Sequence, residues 1–388
     1  MKLAKRITET SKKSYGMYEK SRNLPGDTSD LIHLELGCPH ADTPQPVKQA
    51  TIDALLAGDV HYSDLRGQPA LREALAGKLR EHNRLDVNAD EILVTNGLTH
   101  ASFAAIFALV DAGDEVILLA PYYPQHIGKI ELAGGRPVIV DLDRTNNFSI
   151  DAAAIEAAIT PRTKAIVIVN PANPTGRVYS KDELQALADV AIRHDLAVLS
   201  DEVYEEIVYG DARHTSIGAL PGMKERTISM FAFTKSFAMD GWRIGFMTAP
   251  AHIMPGLLKI TANDVTHVNT FIQAGALAAV TGKREVLGAL VGEDRVKRDI
   301  VVEALNGMRN VSCTRPDGTI YAFADISVTG LSAQDCADRL MVEARVVVEA
   351  GSFYGTAGEG FIRVCFGSES KARIAEAMQR MKAFFDQV

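Results

Sequence analysis

Residues 165–176 read AIVIVNPANPTG: an unbroken apolar run, Ala165 to Val169, then two Asn-Pro pairs and a Gly. A strand that is apolar at every position, rather than at alternate ones, is buried on both faces, as strands of parallel sheets are. The dense Pro and Gly that follow end it in a tight loop. The same unit recurs on either side. Upstream, EILVT (91–95), EVILL (115–119) and PVIV (137–140) are followed by helical patterns over 97–110, near 125–133 and near 151–159. Downstream come a helical pattern over 181–193 and the runs AVLS (197–200) and TISMF (227–231). Short Val/Ile-rich runs alternating with helices predict βαβ units, hence an α/β fold with a three-layer large domain on a mostly parallel sheet.

The flanks read differently. Residues 1–30 are polar with a turn at Pro25-Gly26-Asp27, an arm without a core of its own. Leu31 to Leu36 predicts a short strand ended by Gly37-Cys38-Pro39, and Pro46 to Leu56 has helical spacing. A polar loop with Tyr62 and Gly67 then leads into an amphipathic helix with Pro69 near its start. Beyond Pro250, helical patterns over roughly 252–308, strands at 320–326 and 361–366, a helix near 332–344 and a closing helix Lys371 to Phe385 predict a smaller α+β domain formed by both chain ends. The expected division is 1–45 as arm and part of the small domain, 46–282 as the large domain, and 283–388 as the small C-terminal domain.

Composition narrows the function classes. The chain has 388 residues and a formal net charge of -8, with no Lys/Arg run dense enough for a nucleic-acid footprint. Cys38, Cys313, Cys336 and Cys365 are scattered outside any CxxC spacing, which argues against a disulfide framework or thiolate metal site and for a reducing compartment. His33, His40, His61, His100, His126 and His267 form no HxH or HExxH spacing, so no metal is expected. No apolar run approaches the ~20 residues of a membrane span, and residues 1–16 lack the apolar core of a secretory signal. A soluble, cytoplasmic protein is expected.

In open parallel sheets, ligands bind beyond the carboxyl ends of the strands. Asn96-Gly97-Leu98-Thr99 follows EILVT and opens a helix: an anion cup, or merely a cap. Tyr123 follows EVILL: an aromatic plate, or a cover for the sheet edge. Asn173 sits in the NPANPTG loop, Asp201 and Tyr204 follow AVLS, and Thr234 and Lys235 follow TISMFAF. Asp201 read alone is equally an N-cap, and Lys235 a snorkelling side chain. Arg243 stands eight residues after Lys235. Their coincidence at successive strand ends suits one chemistry. A buried Lys is deprotonated readily enough to attack a carbonyl. A buried carboxylate keeps a pyridine ring nitrogen protonated, Tyr204 and Asn173 can donate to a ring oxygen, and a helix N-terminus with Arg243 suits a phosphate. The set converges on pyridoxal 5'-phosphate.

NPANPTG (170–176), SDEVY (200–204), FTKSFAMDGWRIG (233–245) and FIRVCFG (361–367), with HYSDLRGQPALR (61–72) ahead of them, resemble the fold-type I pyridoxal-phosphate aminotransferases of class I/II, the aspartate aminotransferase-like superfamily. The resemblance runs essentially end to end. It implies Lys235 as the Schiff-base lysine and acid/base, Asp201 on the ring nitrogen, Tyr204 and Asn173 on the ring hydroxyl, and Tyr123 stacked on the ring. It places Arg243, Thr234 and the Gly97-Leu98-Thr99 turn at the phosphate, and Arg363 on the substrate α-carboxylate with the Gly37 backbone and Asn173 beside it. It further implies a homodimer in which Tyr62 reaches the neighbouring subunit's phosphate. Ala232 departs from the family's usual Gly or Ser, and Thr99 stands where some aspartate-using relatives carry Lys. His40, His100, Tyr15 and Gly16 flank these positions and are expected near the substrate side chain. The implied reaction is ping-pong transfer of an amino group from an L-amino acid to a 2-oxo acid; the alternative is a β-eliminating lyase on the same fold, such as a carbon–sulfur lyase.

Overall fold

In the computed structural model, which describes residues 1–10 and 16–388, the middle of the chain forms a seven-stranded sheet. After the short β1 (Ile32–His33), its strands are β2 (Ile92–Thr95), β3 (Glu115–Ala120), β4 (Arg136–Asp141), β5 (Thr163–Val169), β6 (Ala197–Asp201), β7 (Thr227–Ala232) and β8 (Gly245–Thr248). They lie in the order β2-β8-β7-β6-β5-β3-β4. The pairs among β3 to β7 are parallel, whereas β8 runs antiparallel to both neighbours.

Side-chain alternation along each strand builds the three layers. Val116, Leu118, Val167 and Leu199 pack on one face with the helices Gly97–Leu109 and Met254–Asp264. Ile117, Leu119, Ile166, Ile168 and Val198 pack on the other with the helix Lys181–Arg193. That last helix starts where its sequence says, because Ser180 and Glu183 form a reciprocal capping box. Only β4 is largely open to solvent along its length, and it is an edge strand carrying Pro137.

No helical crossover intervenes between β7 and β8, which is why β8 pairs antiparallel. Its placement matters for the site: the chain leaves the carboxyl end of β7 at Lys235 and re-enters the sheet from the same end after Arg243.

The C-terminal part adds β9 (Ser312–Cys313), β10 (Tyr321–Asp325), β11 (Val346–Val347), β12 (Glu349–Ala350) and β13 (Phe361–Cys365). Four of them form an antiparallel sheet in the order β12-β13-β10-β9, while β1 pairs in parallel with β11. The expected strand over 31–36 is therefore two residues long, its ladder being Ile32 with Val346 and His33 with Val347. Met17, Leu31, Ile32 and Leu34 share a core with Leu305, Ile362 and Phe385, so the N-terminal arm packs into the C-terminal core. The closing helix spans Lys371–Phe385, capped by the Ser370 hydroxyl. No helix among the described residues is long and apolar enough to cross a membrane.

Candidate active site

A cleft of about 520 Å³ opens at the carboxyl ends of the parallel strands. Leu98 and Thr99 after β2, Tyr123 after β3, Asn173 after β5, Asp201 at the end of β6, Tyr204, and Thr234, Lys235 and Arg243 between β7 and β8 all line it. Gly37 and Arg363 close it from the side built by the chain ends.

One end is shaped for an anion. Gly97 starts its helix at φ +74°, and a Cβ there would lie 2.7 Å from Arg243 Nη2. Glycine thus supplies both a left-handed backbone and the room for the guanidinium to stand beside the unpaired N–H groups of the first helical turn, so that both can donate to one anion. Arg243 is itself held by donating from Nη1 to the Asp240 carbonyl at 2.9 Å.

Lys235 lies between that end and the chain-end wall. Its Nζ donates to the Gly37 carbonyl, and burial pushes its pKa below the ordinary lysine range. Asp201 is 2% exposed, and its Oδ1 accepts from the Val203 N–H at 3.2 Å. Behind it, His126 Nε2 stands 3.3 Å from Asp201 Oδ2. Burial pushes the His126 pKa down, which leaves a neutral ring there. His126 was assigned no role from its place in the chain; the signal was its spacing, three residues after Tyr123 at the start of the helix that opens behind β3, and the two rings meet edge-on at 5.4 Å.

Arg363 forms the opposite end. Its Nη1 donates to Asn173 Oδ1 at 3.1 Å, its Nη2 to the Glu35 carbonyl, and the guanidinium lies 4.2 Å from the Tyr321 ring centroid and 5.1 Å from that of Tyr354. Its buried Nε has no partner among the described residues. A buried guanidinium with an unused donor is completed by a carboxylate. Tyr204 Oη and Tyr321 Oη share a hydrogen bond of 2.8 Å, and Gly37 is required because a Cβ there would collide with Tyr321 Oη. Glu349, across the strand pair from Arg363, also lines the cleft; burial pushes its pKa up to about 7.

The family described as aminotransferase class I and II matches residues 29–381. The chain belongs to the class I and II aminotransferases. It is 38% identical to an aspartate aminotransferase of Pyrococcus abyssi over 93% of each chain. It is also 38% identical to an arginine–pyruvate transaminase of Pseudomonas aeruginosa, over 86% of this chain and 85% of that one. Among solved structures, the aspartate aminotransferase of Thermus thermophilus with maleate superimposes with a TM-score of 0.92 at 35% identity, covering 99% of both chains. These relatives carry out transamination by name, which favours that reaction over the eliminating-lyase alternative.

In this aminotransferase most of the residues singled out in the sequence meet in one cleft, and some do not. Tyr62 is 86% exposed, edge-on to His267 and outside the cleft of its own chain. His40 is exposed, and the buried His100 accepts the Asn96 N–H at 3.1 Å and faces Asp264, so neither lines the cleft. Gly16 packs against the Glu349 carboxylate, while Tyr15 lies outside the described residues. Thr234 lines the cleft and Ala232 does not. Tyr321, Glu35, Glu349 and Tyr354 line it without having been expected, because their neighbours in sequence read as ordinary strand or loop.

Proposed function

We propose that this aminotransferase transfers the amino group of an L-amino acid to a 2-oxo acid in two half-reactions, with pyridoxal 5'-phosphate held at Lys235. The observation that carries this reading is the set of groups sharing the cleft: a helix-start cradle with Arg243, the buried Asp201 and Lys235, and Arg363 with an unused donor. When bound, the cofactor supplies an aldehyde that exchanges its amine partner and a protonated ring that delocalises the electrons left at the substrate Cα.

The residues then divide the remaining work. The Gly97-Leu98-Thr99 turn, Thr234 and Arg243 bind the phosphate, and Tyr123 covers the ring. Asp201, backed by the neutral His126, holds the proton on the ring nitrogen. Tyr204 and Asn173 donate to the ring oxygen, with Tyr204 oriented through Tyr321. Arg363 binds the α-carboxylate in a fork and fixes the Cα–H bond toward Lys235. Asn173 stands beside that carboxylate, and the Gly37 backbone holds the Lys235 amine on the substrate side. Burial favours the neutral amine, so Lys235 Nζ can accept the Cα proton and return it one atom away. A single-turnover experiment tests the reaction. With an amino acid and no acceptor, one 2-oxo acid per site and a single, permanent change in cofactor absorbance are expected; continuous release of 2-oxo acid and ammonia would overturn transamination.

We further propose a cytoplasmic homodimer with shared sites, in which Tyr62 reaches the partner's phosphate cradle. Ile52, Leu55, Leu56, Val60, Tyr62 and Leu65 leave large apolar side chains exposed within one short stretch of chain, the kind of surface a second copy covers. Sedimentation should give twice 42.0 kDa, and a monomer with full activity would refute the shared site. The division into 1–45, 46–282 and 283–388 is proposed on the pairing of β1 with β11 and the separate antiparallel sheet; limited proteolysis cutting first near 282 would support it, and early cuts within 46–282 would not.

A further inference from the structure

Lys129 takes part in none of these steps, yet it is 7% exposed, and among the described residues its hydrogen-bond partner is a neutral hydroxyl, Ser102 Oγ at 2.7 Å. It lies one turn beyond His126 on the helix Gln125–Leu132, on the same buried face. Ser102 in turn donates to the Leu98 carbonyl at 2.9 Å, so the ammonium is braced against the first turn of the helix that opens the anion cradle. An ammonium in a dry interior costs far more than a hydrocarbon of equal size unless an opposite charge compensates it. On this face the buried carboxylate is Asp201, whose Oδ2 lies 3.3 Å from His126 Nε2 one turn back, and its charge favours the ammonium without a direct ion pair.

We propose that Lys129 is the resident counter-ion of Asp201, balancing that carboxylate before a cationic ring nitrogen reaches it and losing its proton to solvent once one does. Lys129 is then a positioning residue acting through Asp201, and the inference rests on the cofactor reading above. Before binding, the carboxylate and the ammonium together are neutral. A protonated ring nitrogen adds a second cation to the same carboxylate, and the trio regains neutrality when the more deeply buried amine gives up its proton.

The surroundings are consistent with that sequence. Burial already pushes the Lys129 pKa down to about 8, so the ammonium form prevails at pH 7 by a modest margin. His126, on the same helix, is pushed down by burial and by the Lys129 charge and adds no cation. From the helix Gly97–Leu109 the facing group is the neutral Ser102, while His100 points away toward Asp264. Glu131, two residues on along the same helix and so on another face, is half-buried, whereas Arg136 and Asp141 at the ends of the exposed edge strand β4, and Lys5 and Arg6 on the short helix Lys5–Thr8, lie toward solvent, where water screens them. The sign follows: the bound state holds the proton less tightly, so binding releases a proton, and affinity rises with pH up to the free-state value near 8.

Calorimetric titration of pyridoxamine 5'-phosphate into the apoprotein at pH 7, in two buffers of different ionisation enthalpy, counts the protons released. This ligand carries the ring and phosphate without an aldehyde, so reaction at Lys235 adds nothing. Wild-type protein is expected to release about half a proton or more per site beyond Lys129→Met and Lys129→Gln. Both variants should bind several-fold to about tenfold more tightly, since one cation no longer competes for Asp201. Lys129→Gln keeps a partner for Ser102, separating charge from packing and serving alone if the methionine variant does not fold. Equal proton counts in all three proteins, or weaker binding in both neutral variants, would overturn the proposal in favour of a bracing role. Wild-type protein that binds no pyridoxamine phosphate would instead overturn the cofactor reading itself, and this proposal with it.

Discussion

Lys235→Ala is expected to lower kcat by about 10⁴-fold or more while leaving the fold intact. Two contributions are lost together: the amine that anchors and exchanges with the substrate, and the base that moves the Cα proton, which alone contributes roughly 10²–10⁴. Structural loss should be small. Among the described residues Lys235 Nζ has one hydrogen bond, to the Gly37 carbonyl at the cleft wall, where water can replace it, so the stability change should stay within about 1 kcal/mol. Removing a buried amine also removes a desolvation cost, the same effect that pushes its pKa down. Steady-state kinetics and a thermal melt on the same preparation check both halves. Turnover within tenfold of wild type would remove Lys235 from the chemistry and the assignment with it.

Arg363→Leu should act on binding instead. Two charge-assisted hydrogen bonds to the substrate carboxylate are each worth roughly 1.5–3 kcal/mol, so kcat/KM should fall by about 10²–10⁴, mostly as a rise in KM. Arg363→Lys should recover only a minor part, because a point charge cannot reproduce the fork or the stacking on Tyr321 and Tyr354. Unlike the lysine variant, this one carries a stability cost. Asn173 Oδ1 and the Glu35 carbonyl lose their donor inside a buried wall, at about 1–3 kcal/mol for each group left unpaired. Comparing the enzyme's half-reaction with an amino acid and with the matching amine separates the roles: the amine, which has no carboxylate, should lose little. Equal losses for both substrates would show that Arg363 acts through the fold rather than on the substrate.

Much of this was legible locally. An apolar run at every position of a strand records burial on both faces whatever the partner strands are, so the parallel sheet could be read from 91 to 231. Glycine, proline and polar residues at strand ends are likewise local, which is why Thr99, Tyr123, Asn173, Asp201, Thr234 and Lys235 could be gathered before any contact was known. Strands of two residues, such as β9, β11 and β12, have no period to read, since their pairing supplies what their sequence does not. β8 was hidden for a different reason: its direction depends on a connection without a helix, not on its own composition.

By itself, then, the sequence determined the layered α/β fold, the strand-end chemistry and the family. Tertiary structure alone decided which distant groups share a wall. Arg363 meets Asn173 from 190 positions away, Lys235 finds the Gly37 carbonyl, and His40 and His100 turn out to face elsewhere. The same holds for the two side chains behind Asp201. A histidine and a lysine one turn apart look like any buried helical face until packing places their helix against the end of β6, because desolvation and charge pairing are properties of the neighbourhood and not of the residue.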